Sequence, residues 1–208
     1  AADGARAVAA SLEGQGQIAT LILPADTAWN EAQGPAHPLP KPTLPAPDPR
    51  AIERAAAALK SANNAVLLVG SDALYGEGLA NAGRVAEATG ARLLCPTTNG
   101  RRERGAGRVR VQPLPYFGEM IEKKLEGIDV LVVAGTKPPV SFFAYPGKAS
   151  WLTPEGCKIV YASHSHEDST AALDALADAV GAPKKPTVID QLMTEMPAEA
   201  DRLDQFSV

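Results

Sequence analysis

The sequence predicts an α/β fold, a doubly wound (Rossmann-like) parallel sheet with helices on both faces. Two runs, Ala65–Val69 (AVLLV) and Asp129–Gly135 (DVLVVAG), are almost continuously apolar, as strands covered on both faces of a sheet are. Candidate strands and helices alternate from residue 49 onward, which requires crossover connections between parallel strands. A glycine, Gly70, follows the first buried run directly, as in folds that turn sharply from strand to helix.

The first half of this α/β pattern begins at a helix start signal. Asp48 is a predicted N-cap, with a proline at the first helical position and the helix RAIERAAAALKSA running to about Ala62. The strand at Ala65–Val69 follows, then a helix over Gly76–Thr89 that ends at a glycine, then the strand Ala91–Cys95.

The second half repeats the alternation. We expect a short helix over Phe117–Leu125, the buried strand Asp129–Gly135, a strand at Cys157–Ser163 (CKIVYAS), and a final amphipathic helix over Asp168–Val180. Together these elements predict one α/β domain over residues 49–182.

The N-terminal segment carries too few elements for a core of its own. A helix is expected over Gly4–Gly14, with Asp3 as its N-cap, and a strand over Gln17–Leu23. Because an unpaired apolar strand exposes a row of donors and acceptors, we expect Ile18–Leu23 to pair with an edge of the central sheet or with another copy of the chain. The proline-rich stretch Gly34–Pro49 favours an extended spacer, with a ligand for a proline-recognition domain as the alternative.

Composition excludes several classes of partner. The chain has 208 residues, a net charge of −4 and a pI near 5.4, so nothing electrostatic favours nucleic acid or an anionic membrane. No apolar run approaches the about 18 residues of a membrane span, and no signal peptide is visible, so we expect a cytoplasmic protein. Two cysteines, Cys95 and Cys157, flank or lie in apolar runs and are expected to be buried thiols rather than a disulfide or zinc site.

Loops after the predicted strands are the candidate ligand sites, because parallel sheets bind ligands beyond the carboxyl ends of their strands. The loop after the first strand lacks the dinucleotide fingerprint, since Asp72 stands where a second glycine would let a pyrophosphate approach. The segment Thr97–Arg108 (TTNGRRERGAGR) is either an anion clamp or a solvated loop.

Two further segments have unusual composition. Gly135–Gly156 and its surroundings concentrate aromatic residues in a chain that is poor in them, namely Phe142, Phe143, Tyr145, Trp151 and the nearby Tyr161. This concentration favours contact with another domain or subunit over a small-molecule pocket. His164–Asp168 (HSHED) lacks a third metal ligand at a diagnostic spacing, and Asp168 is better explained as a helix cap. We assign no catalytic residue and no metal ligand.

The order of these segments resembles thiamine-diphosphate-dependent enzymes. QIATLILPADTAWNEA, a proline spacer, AVLLVGSDALYGEGLANAGRVAEATGARLLCPTTN and VLVVAGTKPPVSFFAYPGKASWLTPEG are most similar to the acetolactate synthase large-subunit branch. The resemblance covers about residues 3–182. It implies that 1–32 end a pyrimidine-binding domain, 33–48 form a linker, 49–182 form the whole central domain, and 183–208 lead toward a C-terminal diphosphate-binding domain.

The resemblance also implies what the chain does not supply. The family's catalytic glutamate lies upstream of the matched segment, and its Gly-Asp-Gly motif does not occur in the sequence. We therefore expect a central, noncatalytic domain that is inactive alone. The parent would use thiamine diphosphate and magnesium to decarboxylate a 2-oxo acid and transfer the carbanion equivalent. Its partners would be the other domains and a further copy in a homo-oligomer.

A nucleotide site is the remaining question, because in several relatives the central domain carries FAD or ADP. The positions that would hold a nucleotide are Gly70, Thr97, Asn99, Gly135 and Lys137. Flavin-binding relatives have a glycine pair after the glycine that matches Gly70, where this chain has Ser71 and Asp72, and an arginine where it has Lys137. These differences predict that FAD is absent. Two rival hypotheses stay open: a stand-alone nucleotide-binding module of the FAD or ADP type, and a structural or oligomerising domain.

Overall fold

A computed structural model describes residues 1–187, so most of the predicted tail from Pro183 lies outside the described residues. It contains a five-stranded sheet in the order β3-β2-β1-β4-β5, with every neighbouring pair parallel. The strands are β1 (Ala65–Val69), β2 (Arg92–Cys95), β3 (Gln112–Pro113), β4 (Val130–Ala134) and β5 (Lys158–Ser163). The helices are α1 (Ala2–Ser11), α2 (Pro49–Ser61), α3 (Gly76–Thr89), α4 (Gly118–Leu125) and α5 (Ser169–Val180). The predicted fold class is confirmed.

The central strands are buried because both faces of the sheet are covered. Every residue of β1 and β4 is buried. Leu67 and Val69 of β1 face a core layer shared with α2, α3 and α5, whereas Val66 and Leu68 face the layer shared with α4. This division explains the continuous apolar runs, since a strand with two covered faces has no polar side to show.

Helix boundaries follow the capping residues. The carboxylate of Asp48 accepts a hydrogen bond from the Arg50 N–H at 3.0 Å and starts α2. Asp168 accepts from the Ala171 N–H at 2.8 Å and starts α5 as predicted. At the end of α3, Gly90 adopts φ +71°, the left-handed conformation that glycine allows.

A buried arginine fastens α3 to α5. Arg84 is 4% exposed, and its guanidinium bonds the carboxylates of Asp174 at 2.7 Å and Asp178 at 2.9 Å. Its Nε donates to the Pro183 carbonyl at 2.7 Å. Several charge-assisted bonds satisfy this buried cation, as a desolvated charge requires.

The alternation of strands and helices breaks at two connections. Residues 96–111 join β2 to β3, and residues 135–157 join β4 to β5, without a helix in either loop. The two-residue strand β3 was not predicted. All but one of the helices against the sheet lie on one face, and α4 alone covers the other.

The N-terminal predictions are partly wrong. Helix α1 begins at Ala2, with Ala1 at the N-cap position, and Asp3 lies in its first turn paired with Arg6. Among the described residues, the segment 17–23 pairs with no strand, and Ile18 is 97% exposed. An extended segment without an adjacent sheet edge gains no ladder hydrogen bonds. Pairing with another copy stays a prediction.

The cysteine prediction is correct for one residue only. Cys95 is buried, Cys157 is half-buried, and both are free thiols. Burial raises the pKa of the Cys95 thiol. No helix within residues 1–187 has the length and apolarity needed to cross a membrane.

Candidate functional site

The carboxyl ends of β1 and β4 form the point where the strand order reverses. From β1 the chain continues to β2 and β3 on one side, and it returns to β4 and β5 on the other. Open α/β sheets bind ligands in the crevice at such a point. We call the loops there, Gly70–Asp72 and Gly135–Thr136, together with the N-termini of α3 and α5, the switch-point crevice.

The two glycines of the switch-point crevice pack against each other. The Gly70 N–H donates to the Ala134 carbonyl at 2.9 Å. A Cβ atom on Gly70 would lie 3.0 Å from the Gly135 carbonyl oxygen, and one on Gly135 would lie 2.7 Å from the Gly70 oxygen and 2.6 Å from Ser169 Oγ. Gly135 also has φ +68°. Close packing of the two loops therefore explains both glycines without a ligand.

A carboxylate of the chain itself occupies the N-terminus of α5. Asp72 is 8% exposed, and its Oδ2 accepts hydrogen bonds from the Thr170 N–H at 3.0 Å and from the Thr170 hydroxyl at 3.1 Å. Its Oδ1 is buried without a partner among residues 1–187. Ser71, at φ +54°, donates its hydroxyl to the Gly135 carbonyl at 2.8 Å. Ser71 and Asp72, which stand where flavin-binding relatives have a glycine pair, therefore use their side chains for hydrogen bonds within the chain.

A second carboxylate occupies the N-terminus of α3. The Gly76 N–H donates to Glu103 Oε2 at 3.1 Å, and the Glu103 N–H donates to the Leu74 carbonyl at 2.9 Å. Arg101 and Arg108 bond the same carboxylate at 2.8 and 3.2 Å. The Gly76 hydrogen bond first, and the two arginines after it, lower the pKa of Glu103.

The arginine-rich loop therefore folds back on the first strand–helix junction. In nucleotide-binding sheets this helix N-terminus receives the pyrophosphate, and here the Glu103 carboxylate lies on it. Arg101 also stacks over the Tyr75 ring, 4.4 Å from its centroid. Neither interpretation of Thr97–Arg108 from the sequence, an anion clamp or a solvated loop, predicted the contact between Glu103 and the N-terminus of α3. The one available signal was the acid placed among arginines in RRERG.

The five candidate nucleotide-site residues lie in two adjoining cavities. Gly70, Asn99 and Gly135 line one of about 460 Å³, whereas Thr97 and Lys137 line another of about 390 Å³. Two of the polar side chains among these five residues already form hydrogen bonds within the chain. The Thr97 hydroxyl donates to the Pro115 carbonyl at 2.7 Å, and the Asn99 amide donates to the Pro96 carbonyl at 2.8 Å.

Five aromatic side chains cluster beside the second cavity, where all five line an adjoining groove and two of them also line the cavity. Their centroids lie 4.8–6.1 Å apart in contacting pairs, and each side chain is exposed. We call this cluster the aromatic rim: Tyr116, Phe117, Phe142, Phe143 and Tyr145. Sequence analysis singled out the last three but missed the first two, which precede α4. Trp151, singled out with them, lies outside the rim, where its backbone bridges Val140.

The histidine segment forms a ring stack. His164 lies 4.6 Å from the Tyr161 ring and 5.7 Å from the His166 ring, centroid to centroid. Within the described part of the chain, no group of three His, Cys, Asp or Glu side chains is arranged to hold a metal ion.

Comparison with curated proteins gives one informative relative. The chain is 45% identical over 176 residues to "Putative acetolactate synthase large subunit IlvX" from Mycobacterium tuberculosis (strain ATCC 25618 / H37Rv). The match covers 85% of this chain and 33% of that protein, so the chain spans about a third of the relative's length. No family model matches the chain.

Comparison with solved structures gives the fold. A "putative thiamin diphosphate-dependent enzyme" from Mycobacterium smegmatis matches 94% of this chain and 40% of its own, with a TM-score of 0.65 and 22% identity. Benzoylformate decarboxylase from Polynucleobacter necessarius matches 99% and 41%, with a TM-score of 0.59 and 20% identity. These identities establish the fold alone. In sequence and fold together, the chain resembles part of the thiamine-diphosphate-dependent enzymes of the acetolactate synthase large-subunit type.

Proposed function

We propose that this chain is the central, noncatalytic domain of a thiamine-diphosphate-dependent, acetolactate-synthase-like enzyme. The observation that carries the proposal is the match of 45% identity over 176 residues, which spans 33% of the relative. A third of such a protein corresponds to one domain of three, and residues 49–182 contain one complete α/β sheet with its own core.

The chemistry of the parent would lie outside this domain. When bound, thiamine diphosphate would stabilise the electron pair left as a 2-oxo acid loses carbon dioxide, so that the resulting carbanion equivalent can be transferred to an acceptor, with magnesium holding the diphosphate. Residues 1–187 hold no cluster of acids or histidines arranged for a metal. The domain would serve the reaction by positioning its neighbours, and the exposed aromatic rim is the surface we assign to contact with another domain or a second copy.

We propose that this domain carries no flavin, because the two helix N-termini of the switch-point crevice already hold carboxylates. Asp72 lies on the N-terminus of α5 and Glu103 on that of α3, and each carboxylate would repel a phosphate. The rival function, a stand-alone nucleotide-binding module, requires these carboxylates to move aside. A flavin band in the visible spectrum of the dialysed protein would favour the rival.

A domain exchange tests the proposal directly. The matched 176-residue segment of the Mycobacterium tuberculosis relative is replaced by the corresponding residues of this chain. Thiamine-diphosphate-dependent product formation from pyruvate is then measured beside the unaltered relative. We expect the chimera to fold, bind thiamine diphosphate and retain the activity of the relative, because a central domain of the same type preserves the interdomain surfaces.

Two controls accompany the domain exchange: a chimera with a disrupted central domain, and the isolated chain. A chimera carrying Gly135→Val should lose activity, because that side chain cannot fit between the loops. The isolated 208-residue chain should form no product from pyruvate with thiamine diphosphate and magnesium. Product above a no-protein control, or an inactive chimera whose inserted domain folds and binds ADP, would contradict the central-domain function.

A further inference from the structure

The cavity beside the aromatic rim, lined by its residues Tyr116 and Phe142, is built like a small-molecule site. Its volume of about 390 Å³ falls in the range of ligand pockets, roughly 300–1,000 Å³. It lies at the carboxyl ends of β1, β2 and β4, with Tyr116 and Phe142 at its mouth. Four buried apolar side chains form its floor: Leu68, Leu114, Ile121 and Leu152. We call it the rim cavity.

Three polar side chains that line the rim cavity lack a partner within the described chain. The Lys137 ammonium makes no ion pair or hydrogen bond among residues 1–187, and neither do the side-chain hydroxyls of Thr98 and Thr136. No residue lining the cavity is Asp or Glu, so Lys137 is its one charged side chain. In a chain of net charge −4, a cavity with an unpaired cation and no acid is suited to an anion.

The adjoining groove shows the opposite arrangement. It shares Tyr116 and Phe142 with the rim cavity but is also lined by Glu119 and Glu122. Its lysine, Lys148, is paired with Glu119 at 2.8 Å. Aromatic residues at the carboxyl edge of the sheet are therefore common to both concavities, whereas an unneutralised cation distinguishes the rim cavity.

We propose that the rim cavity binds a small organic carboxylate with an apolar or aromatic body. The carboxylate would pair with the Lys137 ammonium and accept from the hydroxyls of Thr98 and Thr136. The body would lie on the apolar floor, against the rings of Tyr116 and Phe142. This site shares Tyr116 and Phe142 with the rim surface but does not depend on the proposed role as a central domain.

A nucleotide fits the rim cavity less well. Phosphates are held by several backbone N–H groups or by arginine forks, and this cavity offers one lysine and a mostly apolar lining. Arg101, which lines the adjoining cavity, is already paired with Glu103. One negative charge on an apolar body matches one free ammonium beside an apolar floor.

The test uses the full 208-residue chain with phenylacetate as the probe and phenylacetamide as its neutral isostere. Saturation-transfer NMR identifies the bound groups, and calorimetry gives the affinities. We expect phenylacetate to bind through its ring and to exceed phenylacetamide in affinity by about fivefold or more, the effect of one charge-assisted contact. Competition with ADP is measured in the same titration.

Three variants locate the site. Lys137→Met should weaken phenylacetate binding by about fivefold or more and leave phenylacetamide binding unchanged. Lys137→Arg should restore most of the affinity, because it keeps the cation. Lys148→Met is the matched control, a lysine beside the same aromatic residues whose partner is Glu119, and it should bind as the wild type does. Thermal unfolding of each variant verifies folding.

Several outcomes would overturn the proposal. These are equal affinity for acid and amide, an affinity that does not change in Lys137→Met, an equal loss in Lys148→Met, or no binding at all. Displacement of phenylacetate by ADP at lower concentration would assign the cavity to a nucleotide instead. Displacement by ADP would also favour the nucleotide-binding rival, but the other results do not bear on the domain-exchange experiment, so the two proposals can fail separately.

Discussion

The switch-point crevice and the rim cavity lie side by side at the carboxyl edge of one sheet, yet they treat their polar groups differently. In the crevice, the N-termini of α5 and α3 each receive a carboxylate from within the chain, from Asp72 and Glu103. In the rim cavity, the Lys137 ammonium has no partner among the described residues. The helix N-termini of the crevice are paired within the chain, whereas the cation of the rim cavity is unpaired among the described residues.

This difference shows that the position of a site in a fold does not determine its use. The point of strand reversal is where parallel sheets usually bind ligands, but here Gly70 and Gly135 pack against each other and both helix N-termini already hold a carboxylate. The unpaired Lys137 ammonium lies two residues beyond Gly135 on the same loop. A ligand or partner surface is better recognised by unpaired groups than by topology.

The largest effect is expected where the crevice is tightest. Gly135→Ala places a Cβ 2.6 Å from Ser169 Oγ and 2.7 Å from the Gly70 oxygen at φ +68°, so it should lower the free energy of unfolding by about 3 kcal/mol or more. Gly147→Ala is the control, because φ is +74° there but no atom lies within 4 Å. Its cost should be about 1 kcal/mol, from backbone strain alone. Urea unfolding measures both, and equal losses would show that the loops do not pack closely.

The next effect concerns the buried carboxylate. Asp72→Ala leaves the Thr170 N–H and hydroxyl without their acceptor in a buried site and should cost about 1–3 kcal/mol of unfolding free energy. Asp168→Ala removes a more exposed cap from the same helix and should cost about 1 kcal/mol. Chemical denaturation of both variants gives the order. A larger loss in Asp168→Ala would mean that Asp72 does not hold the N-terminus of α5.

The central strands and the helix ends could be predicted from sequence because local patterns determine them. β1 and β4 were predicted from continuous apolar runs, which are typical of strands covered on both faces. α3 was predicted with its observed bounds because Gly90 ends it. The prediction of a strand at residues 17–23 was wrong for the converse reason. Its apolar residues fit a strand, but strand pairing depends on a neighbouring edge that the segment cannot specify.

The candidate site could be predicted only in part. Gly70 and Gly135 were correctly placed at the strand ends, since a glycine after a buried strand predicts a tight turn. The contact between Glu103 and the N-terminus of α3 joins residues 27 positions apart through a loop without regular structure, so no periodicity reveals it. The aromatic rim unites two loops that flank α4 and β4, and only the tertiary fold brings them together.

A smaller effect, with a defined pH dependence, is expected from Glu103. Its pKa is lowered in the folded protein from the ordinary value of 4.5, chiefly by the Gly76 N–H. The carboxylate therefore stabilises the fold above the pKa of the unfolded chain, and this contribution is lost as the pH falls through the lower, folded pKa. Glu103→Gln should be less stable than the wild type at neutral pH, and the difference should vanish in acid.

The matched variant for that measurement is Glu77→Gln, in the first turn of the same helix. Glu77 makes no hydrogen bond or ion pair among residues 1–187, so it reports only the effect of a charge near the helix dipole. Thermal unfolding across the acid range compares the two. Identical pH dependence in both variants would show that the Glu103 hydrogen bond contributes nothing of its own.

The smallest effect on stability is expected at the aromatic rim, where the effect on association should be largest. Phe142 is 77% exposed, so Phe142→Ser should change the free energy of unfolding by no more than about 0.5 kcal/mol. Leu114→Ala, on the buried floor beside it, should cost about 2–5 kcal/mol.

If the rim contacts a second copy, sedimentation velocity should show weaker self-association in Phe142→Ser than in the wild type, because a buried aromatic anchor is lost. Unchanged sedimentation of an associating protein would remove the rim from the self-association surface, and a large loss of stability would make Phe142 part of the core.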